Sequence, residues 1–179
     1  MIAIKLLFTL AREKKLFMKK LSLTFSFEEY DLINELNDED KTLLSKAIEA
    51  SKLAYAPYSH FKVGAAVLLE NGKIFTGNNQ ENAAYPSGLC AERVAVFAAA
   101  SHFPDIAVKA LAITAKAKDF SIDSPIYPCG ACRQTFAEYE HHHKKNIRVI
   151  VMGEKGKIQI FESIESLLPF MFVEDNLKK

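Results

Sequence analysis

The sequence predicts a three-layer α/β/α domain, a central sheet covered by helices on both faces, and three observations carry that expectation. Apolar runs of strand length recur at Val63 to Leu69, Val108 to Ala115, Ile147 to Met152 and Lys157 to Phe161. Segments with helical spacing or alanine-rich composition stand between them, and the connections are polar with Gly, Pro and Asn. Strands alternating with helices in this way bury a sheet on both faces and leave ligands at the strand ends, where loops emerge.

Each element has a local reason. Leu21 to Phe27 alternates apolar and polar residues with period two, which predicts a short half-buried strand. Asn37 and Asp38 can cap a helix whose apolar positions Leu43, Leu44, Ala47, Ile48 and Ala54 share a face and which ends near Pro57. Asn71-Gly72 lies between the run ending at Leu69 and the residues Ile74 to Thr76, the pattern of a hairpin with a type I′ turn. After the polar stretch 78–89, Ala91 to Ala100 reads as a buried helix opened by Cys90 and Glu92. After the polar stretch 116–127, Cys129 to His141 reads as a helix begun behind Pro128. Ser163 to Leu168 reads as a short helix stopped by Pro169.

Length and charge narrow the function classes. With 179 residues, 49% of them hydrophobic, the chain suffices for one ordinary domain. Lys plus Arg number 23 against 22 Asp plus Glu, a net charge of +1, so no basic field points to nucleic acid and a small ligand is expected. The first residues, Met1 to Leu10, are interrupted by Lys5 and followed by Arg12 to Lys15 where a secretory cleavage site would stand. No run is long enough to cross a membrane, and the cytoplasm is the expected compartment. Residues 1–37 read as an N-terminal extension, with Met18 a second plausible start and 1–17 expected to be dispensable.

The chemistry is concentrated in three cysteines, Cys90, Cys129 and Cys132, the only ones in the chain. An odd count with a Cys-x-x-Cys pair suits a metal better than a disulfide framework. Residues three apart in a first helical turn project to the same side, so Cys129 and Cys132 can hold one ion, and Cys90 can join them from the start of another helix. Three thiolates on zinc leave a fourth position for water, and Glu92, two residues after Cys90, can sit beside that water as proton carrier. Arg93 can offset thiolate charge by hydrogen bonding to sulfur, and Gln134 can help orient it. A zinc that merely staples two helices would normally take a fourth protein ligand. The histidines could supply one, although His141, His142 and His143 with the lysines behind them read as a solvated helix end.

These motifs resemble the cytidine deaminase family, in its short-chain, three-cysteine branch, over about Ala54 to Phe172. Four segments carry the likeness: 55–66 (Tyr-Ala-Pro-Tyr-Ser-His-Phe-Lys-Val-Gly-Ala-Ala), 77–85 (Gly-Asn-Asn-Gln-Glu-Asn-Ala-Ala-Tyr), 90–93 (Cys-Ala-Glu-Arg) and 128–134 (Pro-Cys-Gly-Ala-Cys-Arg-Gln). The resemblance implies a central mixed sheet, one zinc per subunit, and hydrolytic deamination of cytidine and deoxycytidine by a zinc-bound hydroxide and a glutamate proton shuttle, over a domain spanning 38–179. It further implies that Asn79 and Glu81 hold the ribose hydroxyls, that Phe61 and Tyr85 wall the base, and that Ala91 reads the base through its backbone. It implies a homotetramer with shared active sites, in which the aromatic after Leu167-Leu168-Pro169 reaches a neighbour; by register this is Phe172, with Phe170 the other candidate. Two other readings stand beside it: a zinc deaminase for another aminated nucleoside, such as a cytosine nucleoside antibiotic, and a nonenzymatic zinc module, which Glu92 disfavours.

Overall fold

Helix α1 (Asp38–Lys52) starts where its sequence can satisfy the free N–H groups of a first turn. The Asn37 side chain accepts from the Asp40 N–H at 2.9 Å, and Asp38, Glu39 and Asp40 place negative charge at the positive end of the helix dipole. The computed structural model of the chain describes residues 18–177. In chain order the other principal elements are β1 (Glu28–Tyr30), β2 (Phe61–Leu69), β3 (Ile74–Asn78), α2 (Ala91–His102), β4 (Val108–Ala117), α3 (Gly130–His143), β5 (Arg148–Met152) and β6 (Ile158–Phe161).

Among the described residues the strands form one mixed sheet in the order β1-β6-β5-β4-β2-β3. β4 and β5 are parallel, joined by the crossover helix α3, and the other pairs are antiparallel. Alternation along the strands sorts the core into two layers. Val67, Leu69, Leu111, Ile113, Val149 and Val151 face α2 and α3, whereas Ala66, Leu68, Ala112, Ile150, Ile158 and Ile160 face α1. The three-layer α/β/α arrangement expected from the sequence is the one observed.

One glycine sets how closely the site-bearing helix approaches the sheet. A Cβ on Gly77 of β3 would lie 2.4 Å from the Ala91 carbonyl and 2.6 Å from the Ala95 nitrogen. Only a residue without a side chain lets the first turn of α2 rest there.

Two local expectations need correction. Leu21 to Phe27 is not a strand: Leu21, Leu23, Phe25 and Phe27 are exposed, and pairing begins at Glu28 against Ile160 of β6. β1 pairs with three of the four β6 residues, Ile158 to Ile160. What anchors β1 is ionic as much as apolar, with Glu28 against Arg148 at 3.3 Å and Glu29 against Lys157 at 3.5 Å. Residues expected to form an extension therefore contribute an edge strand, while residues 1–17 lie outside the described ones. The β2–β3 turn is not type I′ either. Gly72 alone has positive φ (+79°), and the Leu69 N–H reaches the Lys73 carbonyl across Glu70, Asn71 and Gly72. That is a three-residue loop with glycine in the left-handed position, a conformation an Asn-Gly pair also permits.

The end of α3 contains a buried carboxylate. Glu140 accepts from the Ile147 N–H at 2.6 Å, the Ile164 N–H at 2.9 Å and the Ser163 hydroxyl at 3.0 Å, joining helix, strand and C-terminal turn. Burial outweighs these donors and holds its carboxyl above the ordinary 4.5. With the folded value above the unfolded one, the native chain binds more protons between the two, so its contribution to stability falls as pH rises through that window. Glu140→Gln keeps a carbonyl for both N–H groups and an amide donor for Ser163, so urea unfolding at several pH values should show near-native stability with this fall removed. Glu140→Ala strands both N–H groups and should cost about 2–4 kcal/mol.

Candidate metal centre and substrate cleft

The site grows from two helix starts. Cys90 is the N-cap of α2 and Cys129 the N-cap of α3, both in extended backbone, and neither thiol caps its own helix by a hydrogen bond. Cys132 follows in the first turn of α3 and is fully buried. The Cys90 and Cys129 sulfurs are 3.7 Å apart and those of Cys129 and Cys132 are 3.6 Å apart. Ligands at about 2.3 Å from a tetrahedral zinc stand about 3.8 Å from each other, so the spacing fits that ion.

The electrostatics make the same point. Hydrogen bonds from Cys132, Arg93 and Cys129 bring the Cys90 thiol down to about 5 against the effect of burial. The Cys132 thiol is driven strongly upward by its bond to Cys90, by burial and by the charges of Glu92 and the other cysteines. Three thiolates and a carboxylate cannot all ionise in one pocket without a cation among them. The cluster thus fits one zinc per chain.

Arg93 places Nη2 3.6 Å from the Cys90 sulfur, and that hydrogen bond, together with the thiolate charge, raises its own pKa against the effect of burial. Its Nε is buried without a hydrogen-bond partner. Glu92 is only 4% exposed, and its carboxyl is raised mainly by burial, with the Cys90 charge adding to the effect and Arg93 opposing it. A carboxyl poised upward in this way is suited to carrying a proton.

A cleft of about 450 Å³ opens onto this group, reaching Cys90, Cys129, Glu92 and Arg93. Phe61, Asn79, Glu81 and Tyr85 line it, as do Tyr58 and Tyr127, which sequence reasoning passed over. For Tyr127 a signal existed, since it stands two residues before Cys129. The polar pair is already partly engaged. Asn79 accepts from the Val63 N–H at 2.8 Å and donates to the Phe61 carbonyl at 2.9 Å. Glu81 accepts from the Tyr58 N–H at 2.9 Å, the Ser59 N–H at 3.3 Å and the Ser59 hydroxyl, and that hydroxyl contributes most to holding its carboxyl below the usual range.

Ala91 follows Cys90 at the start of α2 with its side chain wholly buried, and Phe172, expected at a neighbour's site, does not line the cleft of its own chain. Gln134 does not orient Arg93: its amide grips the Phe172 backbone, donating to the carbonyl at 2.6 Å and accepting from the N–H at 3.3 Å. A side chain pointing along α3 toward the returning tail finds backbone groups there, and Arg93 already has its sulfur. Arg133, also unforeseen, donates to the Pro128 and Leu167 carbonyls, both at 2.8 Å, tying the metal loop to the C-terminal turn.

A family model described as the cytidine and deoxycytidylate deaminase zinc-binding region matches residues 37–148. A cytidine deaminase of Sporosarcina psychrophila is 40% identical over 135 residues, covering 75% of this chain and 92% of its own. One of Halalkalibacterium halodurans is 39% identical over 135 residues, covering 75% and 95%. The crystal structure of cytidine deaminase from Burkholderia pseudomallei superposes with a TM-score of 0.64 at 36% identity, covering 76% of this chain and all of that one. Metal-type sulfur spacing, a buried glutamate beside it and these matches together place the chain in the cytidine and deoxycytidylate deaminase family.

Proposed function

We propose that the protein hydrolyses the amino group of cytidine and deoxycytidine, consuming water and releasing ammonia with uridine or deoxyuridine. The observation that carries this is the buried Glu92 carboxyl beside three zinc-spaced sulfurs, where a nucleoside-sized cleft opens. Zinc, when bound by Cys90, Cys129 and Cys132, supplies Lewis-acid activation of a water molecule. Glu92 takes a proton from that water and passes it to the ring nitrogen beside the attacked carbon, then takes the second proton from the hydroxyl added to that carbon and delivers it to the amine, which leaves as ammonia. Arg93 draws charge from the Cys90 sulfur, keeping the thiolate set from becoming too electron-rich.

Phe61 and Tyr85 flank the base, with the Ala91 backbone reading its edge. Asn79 keeps a free N–H and Glu81 unused lone pairs after their backbone bonds, enough for the ribose hydroxyls. The same reading gives a homotetramer in which Phe172 completes a neighbour's site; Phe170 and Phe172 are 91% and 56% exposed, apolar surface better covered than left in water. No helix among the described residues is long and apolar enough to cross a membrane, and three reduced thiols suit the cytoplasm.

The test is an ultraviolet assay of the zinc-loaded protein with cytidine, deoxycytidine, cytosine, adenosine and guanine, with released ammonia as a second readout. Turnover of the two cytosine nucleosides is expected. Ammonia from none of the substrates, or only from a free base or a purine, rejects the proposal.

A further inference from the structure

The cleft residue Tyr127 is held from behind by a segment that lies outside the family match. Its hydroxyl donates to Gln159 Oε1 at 2.6 Å, and Gln159 Nε2 donates to Glu29 Oε2 at 2.8 Å. Glu29 of β1 and Gln159 of β6 are direct cross-strand partners, so their side chains stand on one face of the sheet. The same face carries a parallel apolar contact. Phe27 lies 5.3 Å from Phe161, and Phe161 meets the Tyr127 ring edge-on at 6.2 Å. The polar chain runs in one direction, with each donor facing an acceptor. The carboxylate at its far end fixes the Gln159 amide so that only its carbonyl faces Tyr127. On the other side of the ring's backbone, Arg133 holds the Pro128 carbonyl next in sequence.

We infer that Tyr127 is a positioning residue of the substrate cleft, and that the N-terminal strand acts on substrate binding through Glu29, Gln159 and Tyr127. This rests on the deaminase reading above, and it assigns a role to residues 27–30 that the matched region, beginning at residue 37, does not contain. The relay orients a wall and carries no proton in the reaction, so its effect falls on the substrate constant and not on turnover.

The experiment is steady-state kinetics on Tyr127→Phe, Glu29→Ala, their double variant and Glu29→Gln, with cytidine affinity measured by calorimetry in the Glu92→Gln background. Losing one hydrogen bond of this kind should raise KM and Kd about threefold to tenfold in Tyr127→Phe and about twofold to fivefold in Glu29→Ala. Turnover and zinc content should stay near native in all of them. The unfolding temperature of Glu29→Ala should fall only by the small contribution of the exposed Glu29–Lys157 pair, a loss that Glu29→Gln shares while it keeps affinity. Glu29→Gln keeps an acceptor for Gln159 and should restore native affinity. The double variant should bind no worse than Tyr127→Phe alone, because both changes break the same chain. Additive effects, an unchanged KM in both single variants, or a failure of Glu29→Gln to rescue overturns the relay. A native protein that does not turn over cytidine overturns the function itself, which separates the two failures.

Discussion

A Glu92→Gln chain is expected to fold, to retain about one zinc, and to deaminate cytidine at least about 100-fold to 10,000-fold more slowly than the native chain, the usual range for a lost general acid–base group. The change is nearly isosteric in a pocket where the side chain is 4% exposed, so packing offers no competing explanation. It also relieves burial of a charge, since the native carboxyl is raised by desolvation and by the neighbouring Cys90 thiolate. Stability should therefore hold or rise slightly while kcat collapses. Elemental analysis, thermal unfolding and single-turnover kinetics on the same preparation check all three at once. Turnover within about tenfold of native would remove Glu92 from the proton path.

Cys132→Ala is expected to have the second largest effect. The thiol is fully buried in the first turn of α3, 3.6 Å from Cys129, and no other cysteine exists to replace it. Zinc measured after gel filtration should fall well below one per chain, and activity should fall with it. Stability supplies an independent readout. A ligand bound only by the folded state adds RT ln(1 + [L]/Kd), so chelator should lower the unfolding temperature of the native chain. The Cys132→Ala chain should start low and respond little to chelator. One tightly held zinc in that variant would show that Cys132 is not a ligand.

The parts of this molecule legible in its sequence are those decided locally. Asn37 followed by three acidic residues announces a helix start, and the observed cap is the expected one. The buried runs of β2, β4 and β5 are apolar on both faces because helices cover both, and they declare themselves by composition alone. The Cys-x-x-Cys spacing likewise states that two sulfurs share one side of a helix. What sequence reasoning misplaced depends on partners distant in the chain. Alternation in Leu21 to Phe27 gives a period but no neighbour, and the free edge of β6 pairs with Glu28 to Tyr30 instead. Asn71-Gly72 marks a tight turn without distinguishing a two-residue loop from the three-residue loop observed. Gln134 sits one turn from the metal in sequence and spends its amide on Phe172, a choice visible only once the tail has returned to α3. Tyr127 was hidden for the same reason, since its partner Gln159 arrives on a later strand.

Two of the three cysteines that fit a zinc are also the residues at which helices begin, and that coincidence would tie metal retention to chain connectivity. Cys90 and Cys129 are separated by 39 positions, and the intervening chain includes α2, β4 and the loop leading to α3. An ion held by both is a reversible clip across that span. If it closed the loop as a covalent cross-link does, the entropy withdrawn from the unfolded ensemble would be worth about 4 kcal/mol. Unlike a disulfide, the clip opens whenever either helix start frays, because the cap residue leaves with its turn. Metal loss and unwinding of the first turns of α2 and α3 are then one event seen from two sides.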